Sequence, residues 1–137
     1  MSKQVWKGSA LVAPVPPALV SCGTLEAPNM LTVAWTGMLQ SQPPKTYISV
    51  RPERYSYGLI KASGEFIINL PTAALVRAVD YCGVRSGRSE NKLAAARLTP
   101  EAVPGFAAPA CDGHCAAWHA RHVSGGHYQR AGGRRTD

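Results

Sequence analysis

NMLTVAWTGMLQSQPPKTYISVRPERYSY, residues 29–57, decides how the whole chain is read. Leu31, Val33 and Trp35 recur at period two on one face of a strand, and Thr32, Ala34 and Thr36 occupy the other. One face is therefore apolar, and the other is small and hydroxyl-rich, a surface on which a flat polar ring could lie. Gln42-Pro43-Pro44 breaks the chain. Thr46, Ile48 and Val50 then alternate with Tyr47, Ser49 and Arg51 in a second strand, expected beside the first in one sheet. Pro52 stands where a first helical residue is expected, so a helix start flanked by Arg51 and Arg54 would offer free N–H groups and two guanidinium groups to an anion such as phosphate. Taken singly, a polar-faced strand also suits a half-exposed sheet, and paired arginines also suit solvent. In succession, they suit a ligand with a flat ring at one end and a phosphate at the other.

Outward from this stretch the chain reads as one small domain: 137 residues, 45% hydrophobic and 17% charged, enough to enclose a single core. The longest apolar run, Ala10 to Val20, is interrupted by Pro14, Pro16 and Pro17, so neither a membrane span nor a secretory signal is expected and the location implied is cytoplasmic. The net charge of +7 is scattered rather than gathered into an aromatic-interleaved patch, and an anionic cofactor accounts for it without nucleic acid. Cys22 and Cys82 sit in apolar surroundings and read as buried thiols.

Val5 to Ser9 is a short leading segment, Ala18 to Cys22 a strand, and Gly23 to Asn29 a turn-rich connection. Glu53 to Ser63 reads as a helix pairing Tyr55 with Leu59 and Tyr57 with Ile60, closed by Gly64 and followed by a strand from Glu65 to Leu70. Pro71-Thr72 opens a second helix, with Thr72 as cap and Leu75, Val76, Val79 and Cys82 as its buried stripe. Ser86-Gly87-Arg88-Ser89 is a basic loop, and Asn91 to Leu98 a short helix.

Pro28 to Thr36, Pro43-Pro44, and Ile48 to Tyr57 resemble, in that order, the flavin reductase-like family that includes the flavoredoxins. Gly64 to Pro71 and Asp80 to Arg88 resemble the same family further along, so the likeness covers roughly residues 5 to 100. The resemblance implies a β-rich (α+β) fold, an antiparallel FMN-binding split barrel with peripheral helices. It also implies a homodimer with the flavin near the subunit interface, taking hydride from NAD(P)H and passing electrons to an acceptor that the sequence does not name. Carried onto this sequence, Arg51, Arg54 and Ser56 would hold the phosphate, and Asn29, Thr32, Ala34, Trp35 and Thr36 would contact the ribityl chain and ring. Ser49, Tyr55, Ser86, Gly87 and Lys92 complete the expected cofactor-binding set, and no catalytic side chain is assigned. Asn91-Lys92-Leu93 stands where the family usually has Asp, Lys and Phe, so only Lys92 carries over.

The character of the chain changes after Pro109. All four histidines and half the cysteines fall in residues 111–137. Cys111, Cys115, His119 and His122 form a C-x3-C-x3-H-x2-H series that zinc could accept, although the spacing is not that of a standard finger. A second account is a change of reading frame near residue 110: back-translated and read one nucleotide later, the tail permits the family's own next strands. On that account residues 1–110 are a partial split-barrel domain and residues 111–137 an aberrant, disordered tail, and the barrel lacks its closing strands. The functional expectations are then an FMN-binding oxidoreductase, a truncated FMN-binding or inert fragment, or a small barrel with a zinc-binding tail.

Overall fold

The computed structural model describes residues 12–111 and, as main chain alone, a strand from Cys115 to Arg121. Val5 to Ser9, His122 and the stretch from Ser124 onward lie outside the described residues.

The sheet is built on two strands with scarcely a polar residue, as strands covered on both faces require. These are β1, Ala18–Gly23 (ALVSCG), and β5, Glu65–Pro71 (EFIINLP). They pair antiparallel, Val20 opposite Ile68. Outside β1 lies β2, Pro28–Val33, with Cys22 opposite Asn29 and Val20 opposite Leu31. A separate two-stranded ribbon follows: β3, Thr36–Ser41, and β4, Pro44–Ile48.

Alternation along these strands divides the apolar side chains between two sides. Ala18, Val20, Cys22, Leu31, Val33, Phe66 and Ile68 face one core, filled out by Ile48, Val50 and Ile60. Ile60 comes from helix α1, Tyr55–Ser63, which Gly64 ends in a left-handed conformation (φ 73°), its N–H donating to Ile60 O at 2.8 Å. Leu19 and Met30 point the other way, onto Ala78, Val79 and Cys82 of helix α2, Val76–Val84, and onto Leu93 of helix α3, Lys92–Ala95. A smaller core gathers Ile67, Val103, Ala108 and Ala110, beside a short pair of strands, β6 (Pro100–Glu101) and β7 (Ala110–Cys111).

Several elements depart from the sequence expectations. The run from Asn29 to Thr36 is two strands, because the chain leaves the sheet at Ala34-Trp35 and restarts at Thr36. The second strand therefore pairs with β3 and not with β2. Pro52 lies in a turn closed by Arg54 N–H on Arg51 O at 3.0 Å, and the helix begins at Tyr55. Thr72 makes no side-chain cap, and a single 3-10 turn, Ala73–Leu75, precedes α2. That tighter winding shifts the phase, so Val76 is exposed and Ala78 takes its place in the buried stripe. Asn91 Oδ1 accepts from Ala94 N–H at 3.1 Å and caps α3. The helix stops early because Arg97 turns left-handed (φ 56°), with Leu98 N–H closing on Leu93 O at 2.8 Å.

The sheet also runs past residue 111, into the stretch expected to be an aberrant tail. Strand β8, Cys115–Arg121, pairs antiparallel with β5 from Glu65↔Arg121 to Pro71↔Cys115, giving the order β2-β1-β5-β8. The reading of the tail leaves β5 with an open edge. The structure satisfies that edge, whose backbone donors and acceptors need partners.

Candidate functional site

Two adjoining clefts open where β2, the turn at residues 49–54, the start of α1 and the end of α2 converge. The larger, about 270 Å³, is walled by Leu31, Val33, Ala34, Trp35, Ser49, Val50 and Arg51. The smaller, about 120 Å³, is walled by Glu53, Tyr55, Ser56, Cys82, Gly83, Arg85, Ser86, Gly87 and Lys92. Leu31, Thr32 and Arg54 line both, so the clefts meet at these residues.

The larger cleft is part apolar and part aromatic. Trp35 is half-exposed, and the Arg51 guanidinium lies 5.8 Å from its ring centroid, a cation–π contact that holds both groups along one wall. Trp35 O accepts from Ser49 N–H at 2.8 Å and ties this wall to the far side.

The smaller cleft is cationic. Arg54, Arg85 and Lys92 line it with one carboxylate, Glu53. Lys92 is buried, and its ammonium donates to Cys82 O at 3.1 Å and Arg85 O at 3.2 Å, where the negative end of the α2 dipole lies. Burial pushes its pKa down from the ordinary lysine value. Arg85 is steadied by Glu90 at 4.0 Å and stacks on Tyr81, whose hydroxyl bonds the same carboxylate. Two buried thiols flank the site. Burial raises the pKa of Cys22 and of Cys82, keeping both neutral around pH 7.

Most residues singled out in the sequence meet here. Ala34, Trp35, Ser49 and Arg51 belong to the larger cleft, Tyr55, Ser56, Ser86, Gly87 and Lys92 to the smaller, and Thr32 and Arg54 to both. Arg51 and Ser56, expected on one phosphate, stand in different clefts. Thr32 gives its hydroxyl proton to Val79 O of α2. Thr36 lines neither cleft, because its hydroxyl donates to Tyr47 O at 2.7 Å inside the ribbon. Asn29 lies behind the smaller cleft, bonded to Ser56. Cys82, Gly83 and Arg85 were not among the expected site residues. The run Asp80 to Arg88 carried them in plain view, but nothing in its spacing marks them as cleft walls. Of the alternative zinc set, Cys111 is buried beneath the sheet, and among the described residues no group of acidic, His and Cys side chains could hold a metal. No helix among the described residues is long and apolar enough to cross a membrane.

The geometry suits FMN: a cleft with an aromatic wall for a planar ring opens into a cationic one for a phosphate, with Arg54 between them.

Comparison with known proteins agrees. Flavoredoxin of Desulfovibrio vulgaris (Miyazaki F) is 33% identical with a TM-score of 0.84, covering 94% of this chain and 72% of that one. An FMN-binding domain of a flavin reductases-like enzyme from Shewanella baltica is 26% identical with a TM-score of 0.72, covering 77% of this chain and 56% of that one. An uncharacterized protein of Archaeoglobus fulgidus is 36% identical over 75 residues, 55% of this chain and 42% of its own length. Another, from Pyrococcus abyssi, is 29% identical over 94 residues, 69% of this chain and 55% of its own length. The chain thus spans about half the length of the curated relatives it matches. The family described as flavin reductase like domain matches residues 12–133, and the chain belongs to that family.

Proposed function

We propose that the chain binds FMN across the two clefts and works as an NAD(P)H-dependent flavin oxidoreductase, as a homodimer. The observation that carries this reading is the junction of the clefts at Leu31, Thr32 and Arg54. It places an aromatic-walled space and a cationic one end to end, as a ring-plus-phosphate ligand requires.

Ala34, Trp35, Ser49 and Val50 would border the ring, and Arg54, Ser56, Ser86, Gly87 and Lys92 would surround the phosphate. Arg54 reaches both ends and would set the spacing between them. Arg51, held over Trp35, is a fixed positive charge at the ring end, suited to stabilise negative charge developing there. Bound FMN supplies the redox chemistry, and the protein contributes binding, orientation and electrostatics. The ammonium of Lys92, anchored on two carbonyls of the α2 end, cannot swing to the ring end, so its part is charge neutralisation at the phosphate.

The test compares FMN with riboflavin, which lacks the phosphate. Replacing Arg54 by Ala should weaken FMN far more than riboflavin, and equal losses would refute the assignment of the smaller cleft to the phosphate. Flavin reduction followed with NADH and NADPH, and sedimentation of the flavin-loaded protein, test the donor and the dimer.

A further inference from the structure

Ser56 is buried on the first turn of α1 and forms part of the smaller cleft's wall. Its hydroxyl has one proton and two lone pairs. Asn29 Nδ2 donates to Ser56 Oγ at 2.7 Å and lies 3.5 Å from Cys22 Sγ, so the Cys22 thiol stands beside the same pair. Asn29 is itself 5% exposed, too enclosed to offer its amide to a ligand. It is held from the other side by the 86–89 loop, where Gly87 approaches so closely that a Cβ would fall 1.9 Å from Asn29 Oδ1.

We infer that Asn29 is a positioning residue that acts through Ser56: by donating to Ser56 Oγ it reserves the Ser56 proton for an anionic oxygen in the smaller cleft. The rotation of the hydroxyl is otherwise free, and with the amide N–H on one lone pair the proton must point elsewhere. The Cys22 sulfur and an oxygen in the cleft then compete for it. A neutral thiol is a weak acceptor and a phosphate oxygen a strong one, so an arriving phosphate takes the proton. The sequence reading assigned Asn29 a direct contact with the ligand. The geometry points to an indirect one. This inference rests on the FMN reading.

The experiment is a double-mutant cycle on FMN and riboflavin affinity, read by flavin fluorescence, with wild type, Asn29→Ala, Ser56→Ala and the double variant, all checked for thermal unfolding. Ser56→Ala should weaken FMN about tenfold, the value of one hydrogen bond to a charged group, and Asn29→Ala by a smaller factor, because the Ser56 donor remains but is no longer oriented. The double variant should bind no more weakly than Ser56→Ala alone, and riboflavin should change little throughout. Where the alanine variant does not fold, Asn29→Val, close to asparagine in size and without a donor, serves in its place. Losses that multiply in the double variant, or that are as large for riboflavin, overturn the inference while leaving the FMN reading intact. A wild type that binds the two flavins equally overturns both.

Discussion

Gly87 stands against Asn29 with no room for a side chain: a Cβ at position 87 would lie 1.9 Å from Asn29 Oδ1 and 3.1 Å from Tyr55. Gly87→Ala must therefore push the 86–89 loop away or displace the Asn29 amide, and FMN affinity should fall about as far as in Asn29→Ala. Gly58 provides the contrast. It lies mid-helix on the exposed side of α1 with open space where its Cβ would be. Gly58→Ala should stabilise the protein by about 0.5–1 kcal/mol, leaving flavin affinity unchanged. Paired thermal melts and flavin titrations check both.

Lys92 gives a second prediction. Lys92→Met keeps the length of the side chain but removes the donors on Cys82 O and Arg85 O and one positive charge of the smaller cleft. FMN affinity should fall by about tenfold or more, with a smaller loss for riboflavin. Isothermal titration with both ligands measures the difference.

Asn69 offers a test of the fold itself. Its amide donates to Leu19 O at 2.9 Å and Ser21 Oγ at 3.0 Å, and its oxygen accepts from Cys111 N–H at 3.1 Å, all fully enclosed. Asn69→Ala removes these partners together, and a destabilisation of about 2–4 kcal/mol is expected in chemical denaturation. Flavin affinity at low temperature should be spared, because Asn69 lines neither cleft.

The buried thiols set a pH dependence. Cys22 and Cys82 are held above the ordinary value of 9.0, so the unfolded chain ionises them first. Their contribution to stability is complete below 9.0 and is lost as pH rises towards their folded-state values. Lys92 acts in the opposite sense below its ordinary value of 10.5, since the unfolded state binds more protons there and stability rises with pH. Melting temperatures from neutral pH to about pH 10 should fall less steeply in Cys82→Ala than in the wild type, and an unchanged slope would remove the thiol from the account.

Truncation after Cys111 would remove β8 and reopen the edge of β5. At about 0.5–1.5 kcal/mol for each ladder hydrogen bond, the truncated protein should melt well below the full chain and tend to associate through the bared edge. Denaturation and light scattering of the two lengths check this, and the nucleotide sequence across codons 100–137 tests the change of frame.

Strands β1 and β5 were legible because an unbroken apolar run has few other uses in so short a chain. The break between β2 and β3 was not. Leu31, Val33 and Trp35 keep period two straight through it, and neither Gly nor Pro marks the place. What bends the chain is tertiary: the bond from Ser49 to Trp35 O, and the pairing of Thr36 with Ile48 in the ribbon. The same holds for Arg97, whose left-handed conformation would ordinarily be signalled by Gly or Asn. In the site, the charged and hydroxyl residues were legible as a set. Their division between two clefts was not, because it depends on where α1 begins, three residues beyond Pro52. Thr32 lines both clefts, and the partner of its hydroxyl was not legible, since Val79 is distant in sequence and only the packing of α2 on β2 brings the two together.

The buried network of Ser21, Asn69, Pro109 and Cys111 also bears on the order in which the molecule assembles. Ser21 donates to Pro109 O across 88 positions of chain, and Asn69 reaches Cys111 across 42. When β1 and β5 pair, Asn69 already reaches Leu19 O and Ser21 Oγ, yet the Ser21 proton and the Asn69 oxygen stay without their partners until residues 109–111 arrive. Such long-range closures are slow, because the chain loses its freedom before the contact repays the loss. Docking of residues 109–111 is then expected late in folding, and hydrogen exchange at Cys111 N–H, which Asn69 Oδ1 holds, would check it.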